Sequence, residues 1–362
     1  MADTASMTSR ERVRTAFAFE EPDRVPAWFG AAPETREAMI DQLGLADDEA
    51  LSVYLGDDFR RVSATYAGPP EFGPDANLAP GSTYRSPFGV ERHGVGWGMP
   101  RSHPLAGATL AEVHEYAWPD PAWMRVSHIR AEIERWQGQY AIRCGDWSPF
   151  WHDAIDLLDM ENLLVTMYEE PELVDALHEH IVDYYFGVSQ RIFEAAADLI
   201  DIFFIGNDFG SMNGPLMSEA TFRRFFLPHL ARLVDLGHDY GLKVMMHCCG
   251  GFAPLIPAMI EIGLDGLQAL QPSARGMDPA ELKAAYGDRI LMNGSIDTQF
   301  VLIQGTPELV KARTAEVLDV MMPGGGYVAS PSHDYVLPET PIENILALYE
   351  TVREHGRYTA QV

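Results

Sequence analysis

The chain has 362 residues, 47% of them hydrophobic, and carries 53 acidic against 26 basic side chains for a formal charge of -27. That balance disfavours nucleic acid and anionic membranes as partners, while the apolar share is enough for a large core. Three cysteines, two of them adjacent, cannot build a disulfide framework, no apolar run is long enough to cross a bilayer, and Met1 to Ser6 lacks a basic then apolar leader. A soluble, cytoplasmic protein is expected.

In chain order, the first 140 residues are irregular, with two candidate strands at Arg24 to Phe29 and Phe59 to Tyr66. Residues 67–127 are rich in Gly, Pro and Trp and predict a hairpin around Tyr84 to Trp97. From Tyr140 onward, apolar runs alternate with longer amphipathic stretches. The runs are Tyr140 to Cys144, Leu199 to Gly206, Lys243 to Cys249, Asp265 to Leu270, Ile290 to Ile296 and Tyr327 to Ser330. Helical patterns follow at 153–197 (broken near Pro171), 218–239, 253–262, 278–286, 306–321 and 340–355, several with start signals such as Thr306-Pro307-Glu308. Strands alternating with helices imply a parallel sheet. With the two early strands the count reaches eight, which predicts an α/β fold of the TIM-type (β/α)8 barrel class: one domain over residues 1–362, with 67–127 as an N-terminal capping insertion.

Reactive groups of such a barrel should gather just after each apolar run, at the carboxyl ends of the strands. They do so at Cys144-Gly145-Asp146-Trp147, Gly206-Asn207-Asp208, His247-Cys248-Cys249, Gln271, Asn293 through Asp297, and Ser332-His333-Asp334. Side chains alternate along a strand, so His247 and Cys249 should point to one side and Cys248 to the other. An imidazole and a thiolate converging where a strand ends make half of a zinc site, although the same residues also read as a buried histidine beside two core cysteines. Asp208 reads as a ligand or base, or as a loop carboxylate bonded to nearby backbone N–H groups. His152, Asp146, Asn293, Asn207 and Gln271 are candidate substrate contacts, and Trp147 heads a set of aromatics (Trp28, Tyr66, Trp97, Phe150, Trp151, Phe209) that suits an apolar or aryl substrate. The run Gly324-Gly325-Gly326 precedes a strand rather than a helix and fails the context of a phosphate loop.

A family resemblance rests on His247-Cys248-Cys249-Gly250-Gly251, Pro257, Glu261-Ile262-Gly263, Gln271-Pro272, Gly276-Met277-Asp278, Lys283, Gly287, Asn293 through Thr298, Gly324 through Tyr327, Pro331-Ser332-His333, Pro341 and Glu343-Asn344. Earlier matches are Pro22 through Pro26, Gly56-Asp57-Asp58, Asn207 through Gly210 and Pro228. These residues resemble the uroporphyrinogen decarboxylase superfamily, and within it the zinc-dependent, corrinoid-linked methyltransferases. The resemblance implies a TIM-type barrel, methyl transfer, bound zinc, a corrinoid as methyl carrier on a separate protein or free, and a homodimer. The chain lacks an Asp-x-His-x-x-Gly signature for holding a corrinoid itself.

Two departures limit the carry-over. The resembling methyltransferases hold zinc with a His-x-Cys pair and a second Cys near the last strand, where this chain has Ser332-His333. His333 either substitutes as the third ligand or only hydrogen-bonds substrate or backbone. The decarboxylases resemble each other in an arginine-rich segment that grips carboxylates, and the stretch Ala27 to Arg36 has no such cluster. The reading is thus an enzyme that moves a methyl group between a small methylated or methoxylated substrate, or a thiol, and a corrinoid. His247, Cys249 and His333 are its metal ligands, with Asp208 and His333 in catalytic roles. A metal-free decarboxylase on a different substrate and a non-catalytic ligand-binding barrel are the alternatives.

Overall fold

The computed structural model describes residues 7–73, 78–96 and 98–358; Trp97 and the Met1 to Ser6 segment lie outside them. A parallel sheet of seven strands curls around the centre in sequence order: β1 (Phe59–Arg61), β2 (Ala141–Cys144), β3 (Ile202–Gly206), β4 (Lys243–His247), β5 (Gly266–Leu270), β6 (Leu291–Ile296) and β7 (Tyr327–Pro331). These are the expected apolar runs, shortened at their ends, and each return between successive strands from β2 onward passes through at least one helix.

The eighth position is the segment Arg24 to Phe29, which forms no regular strand. Pro26 has no N–H to give to a ladder. The segment still closes the ring: Trp28 N–H donates to Ala329 O (3.0 Å), Ala329 N–H to Pro26 O (2.8 Å), and Asp58 N–H to Ala27 O (2.9 Å). The Asp58 carboxylate takes the Ala27 N–H (2.8 Å) where a strand carbonyl would otherwise stand. Thr65–Tyr66, expected to continue β1, instead pairs with Met124–Arg125 in a separate small sheet.

Alternation along the strands fills the barrel. Trp28, Phe59, Ala141, Ile202, Phe204, Met245, Leu291 and Val328 form one buried cluster, completed by Val13, Ala16 and Phe17 of α1 (Ser9–Phe17). This helix plugs the amino ends of the strands. Thr8 and Glu11 form a capping box at its start, and Arg10 and Arg14 reach Asp201 just before β3. Two more helices, Pro33–Leu43 and Asp48–Leu55, also lie in the stretch that looked irregular in sequence.

The hairpin pairs Leu78–Arg85 with Glu91–Gly96, and Met99–Pro100 adds a third strand. This part of the chain packs on the outer helix Pro171–Ala196: the Phe88 ring lies 5.2 Å from Tyr184, and Trp118 stacks on His180 at 4.9 Å. Among the described residues no helix is long and apolar enough to cross a membrane.

Candidate metal centre and active site

Strand β4 ends at His247, and the next two residues leave it in opposite directions. Cys248 is fully buried, and its sulfur accepts the Phe209 N–H at 3.4 Å. Cys249 turns back over the mouth, so that its Sγ lies 3.1 Å from His247 Nε2. The turn depends on glycine. Gly250 has φ 78°, and a Cβ on it would stand 2.6 Å from the Gly210 carbonyl carbon. This close approach presses the Asp208 to Gly214 loop against Cys249, where Asp208 Oδ1 accepts the Cys249 N–H at 2.8 Å.

His333, just after β7, completes a group in which one ligand atom from each of His247, Cys249 and His333 falls within 4.8 Å of the others. Zinc bonds of about 2.3 Å to sulfur and 2.0 Å to nitrogen put tetrahedral ligands roughly 3.5 Å apart, so the donor set fits. The ring of His247 is aimed for this. Its Nδ1–H donates to Gln268 Oε1 at 2.5 Å, which turns Nε2 toward Cys249, where a metal would take the place of its proton. His333 is held the other way: its Nδ1 accepts the Tyr335 N–H at 2.9 Å. Taking a metal at His333 Nε2 therefore requires Nδ1 to give up that amide and carry a proton.

The electrostatics of the cluster are strongly coupled. Burial alone would raise the Cys249 thiol, but His247 and His333 hold it below its ordinary value. His247 is driven well above the usual imidazole range: burial disfavours its charge, yet Cys249, Asp334 and Asp208 outweigh that. Asp208 is pushed up by burial and pulled much further down by His152 and His247. Cys248 and Cys144 are both raised by burial, Cys144 to about 12. Cys249 is thus the thiol prepared to act as a thiolate.

The remaining sequence-derived residues separate into two groups. Trp147 packs its ring 5.2 Å from His247, and His152 Nε2 meets Asp208 Oδ2 at 3.2 Å. Gln271 Oε1 accepts the Gly250 N–H at 3.2 Å, steadying the glycine turn. Asn293 faces the barrel interior, with Oδ1 accepting from Ser330 Oγ and Nδ2 buried without a partner. Asn207 is consumed by the fold: its amide takes the Trp151 N–H and gives to Ser148 O, so it has no free end for substrate. Asp146 is tied through its backbone to Ser189 and Ser148, on the side of the outer helix Pro171–Ala196. Of the other aromatics, Trp28, Phe150, Trp151 and Phe209 are buried core, and Tyr66 packs on Trp123. Gln268 was not singled out from the sequence, because it sits within an apolar strand rather than after it. Asp334, named there only as part of the Ser332-His333-Asp334 rim group, approaches His247 Nδ1 at 3.5 Å.

A family profile described as Uroporphyrinogen decarboxylase (URO-D) matches residues 142–355. The chain belongs to this family. Relatives within it carry different activities. Methylcobamide:CoM methyltransferase MtaA of Methanosarcina barkeri is 28% identical over 199 residues, covering 54% of this chain and 53% of that protein. Uroporphyrinogen decarboxylase of Azoarcus sp. (strain BH72) is 27% identical over 207 residues, 55% of this chain and 52% of that one. The match thus spans about half the length of these curated relatives. A methylated-thiol--coenzyme M methyltransferase of Methanosarcina mazei is 25% identical over 268 residues, covering 71% and 67% of the two chains.

The fold is shared with a solved methyltransferase from Methanosarcina mazei at a TM-score of 0.67 and 20% identity, over 96% of this chain and 99% of that one. The URO-D match includes His247, Cys249 and His333, while β1 lies before it.

Proposed function

We propose that this URO-D family member is a zinc-dependent methyltransferase, moving a methyl group between a small methylated or methoxylated substrate, or a thiol, and a corrinoid. The observation that carries the reading is the His247, Cys249 and His333 donor set at the carboxyl ends of the strands, three protein ligands and thus one short of zinc's tetrahedral shell. Zinc bound there would supply a Lewis acid able to hold a substrate sulfur as thiolate or to polarise an ether oxygen. The relatives named as methyltransferases support this reading, while decarboxylases of similar identity leave the choice between the two to the donor set.

The protein's own groups have definite tasks. Gln268 fixes the His247 ring, and Asp208 holds the Cys249 amide in place. Trp147 covers the His247 ring and keeps water from that side. His152 Nε2, half-exposed and bonded to Asp208 Oδ2, is placed to deliver or accept the proton when an alkoxide or thiol changes state. The corrinoid arrives on a separate protein or as free cofactor, and the 67–127 insertion belongs to one domain with the barrel.

The test follows methyl exchange spectroscopically, using free methylcob(III)alamin with a thiol and cob(I)alamin with a methoxylated aromatic. The zinc-loaded protein is expected to accelerate at least one of the two, and Cys249→Ala to lose on the order of a hundredfold or more. No exchange in either direction, together with carbon dioxide release from an acid by chelated protein, would instead establish the metal-free lyase.

A further inference from the structure

Strands β1 and β2 place Arg61 and Arg143 directly opposite each other as register partners. Alternation puts both on the inner face: Phe59 and Ala141, two residues earlier on each strand, belong to the barrel interior. Like charges facing each other across neighbouring strands are destabilising, and sheets normally avoid them. Here the pair stands at the carboxyl ends, where substrate enters. The Arg143 guanidinium lies over the rings of Trp28 (4.2 Å) and Phe204 (5.1 Å), and both arginines line one cleft with Cys144, Gly145, Trp147 and Phe204.

Among the described residues neither guanidinium makes an ion pair with a carboxylate, in a chain with twice as many acidic as basic side chains. The Asp334 carboxylate acts on both arginines from a longer distance, but the His247 and His333 imidazoles act on it more strongly, and Asp57, which also acts on Arg143, accepts the Phe59 N–H. Burial and the neighbouring Arg61 lower Arg143 to about 9, so it stays cationic at neutral pH. Trp147 touches both the cleft and the His247 ring, which makes the cleft adjacent to the proposed metal centre.

We infer that Arg61 and Arg143 form an oxyanion subsite that binds the carboxylate of the substrate, making this enzyme selective for small methylated acids. Two guanidinium forks, one resting over the Trp28 and Phe204 rings, match the planar geometry of a carboxylate. The bound anion also relieves the repulsion between the two cations. The subsite stands independently of the metal; that its ligand carries the transferable methyl rests on the proposed function. The sequence hides this pair because the two arginines lie far apart in the chain, and Arg61 precedes the region matched to the family.

The test is calorimetric titration of 4-methoxybenzoate and methoxyacetate, each against its neutral amide, into zinc-loaded and chelated protein. At least one acid is expected to bind about tenfold or more tightly than its amide in both forms, with the preference weakening as salt rises. Arg61→Gln and Arg143→Gln should reduce the preference to within about twofold, and Arg61→Lys should restore part of it. If Arg143→Gln does not fold, Arg61→Gln decides, because that side chain is exposed. Equal binding of both acids and their amides by the native protein overturns the subsite, as does a preference that survives Arg61→Gln. Acid preference without any methyl exchange would leave the subsite standing and remove the methyltransferase reading.

Discussion

Purified protein is expected to carry about one zinc per chain, and Cys249→Ala and His247→Ala to carry almost none. The two residues are not redundant. Cys249 supplies the only thiolate of the set, and Gln268 already orients His247 with Nε2 toward the proposed metal position. Loss of either leaves two donors, too few for a stable closed shell. His333→Ala should likewise lose most of the metal, since it too leaves two donors, although that ring must release the Tyr335 amide to ligate. Cys248→Ala should retain all of it, because that thiol is packed beneath Phe209 on the far side of the strand. Metal analysis by plasma mass spectrometry checks all four variants. Metal that follows Cys248 rather than Cys249 would reverse the assignment.

The second large effect concerns barrel closure. Asp58 is fully buried and takes hydrogen bonds from Arg12 (2.8 Å), Arg24 (2.7 and 2.9 Å) and the Ala27 backbone (2.8 Å). It thereby joins α1 and the irregular eighth segment to β1. Asp58→Ala removes one partner and leaves buried guanidinium and amide donors without acceptors, which is expected to cost roughly 3–5 kcal/mol. Urea unfolding should show this as a lower midpoint at unchanged slope. A loss below about 1 kcal/mol would mean that the backbone bonds alone close the ring.

What could be read from the sequence follows from how local each signal is. The strands β2 to β7 were legible because each is a short apolar run between amphipathic helices, and the barrel followed from their alternation. The helices Ser9–Phe17, Pro33–Leu43 and Asp48–Leu55 were missed although the signals existed: a capping box at Thr8 and Glu11, Pro33 at a helix start, and an Asp47 cap. These helices are short, and their apolar faces become clear only against the barrel they cover. The eighth segment failed as a strand because Pro26 interrupts its pairing and a side chain, Asp58, supplies the missing bond. His247, Cys249 and His333 stood out as reactive groups after apolar runs. Gln268 did not, since a polar residue inside a strand gives no rim signal, and the Arg61 and Arg143 pair appears only once strand register is known.

The most direct measurement of the central claim is zinc K-edge X-ray absorption of the purified protein, before and after addition of 2-mercaptoethanesulfonate. The account predicts two nitrogen ligands and one sulfur from His247, His333 and Cys249, with a light atom completing the shell and a second sulfur replacing it once the thiol is added. A shell of light atoms only or a four-sulfur shell would contradict it, and a spectrum that the thiol leaves unchanged would remove the thiol as the group the metal binds.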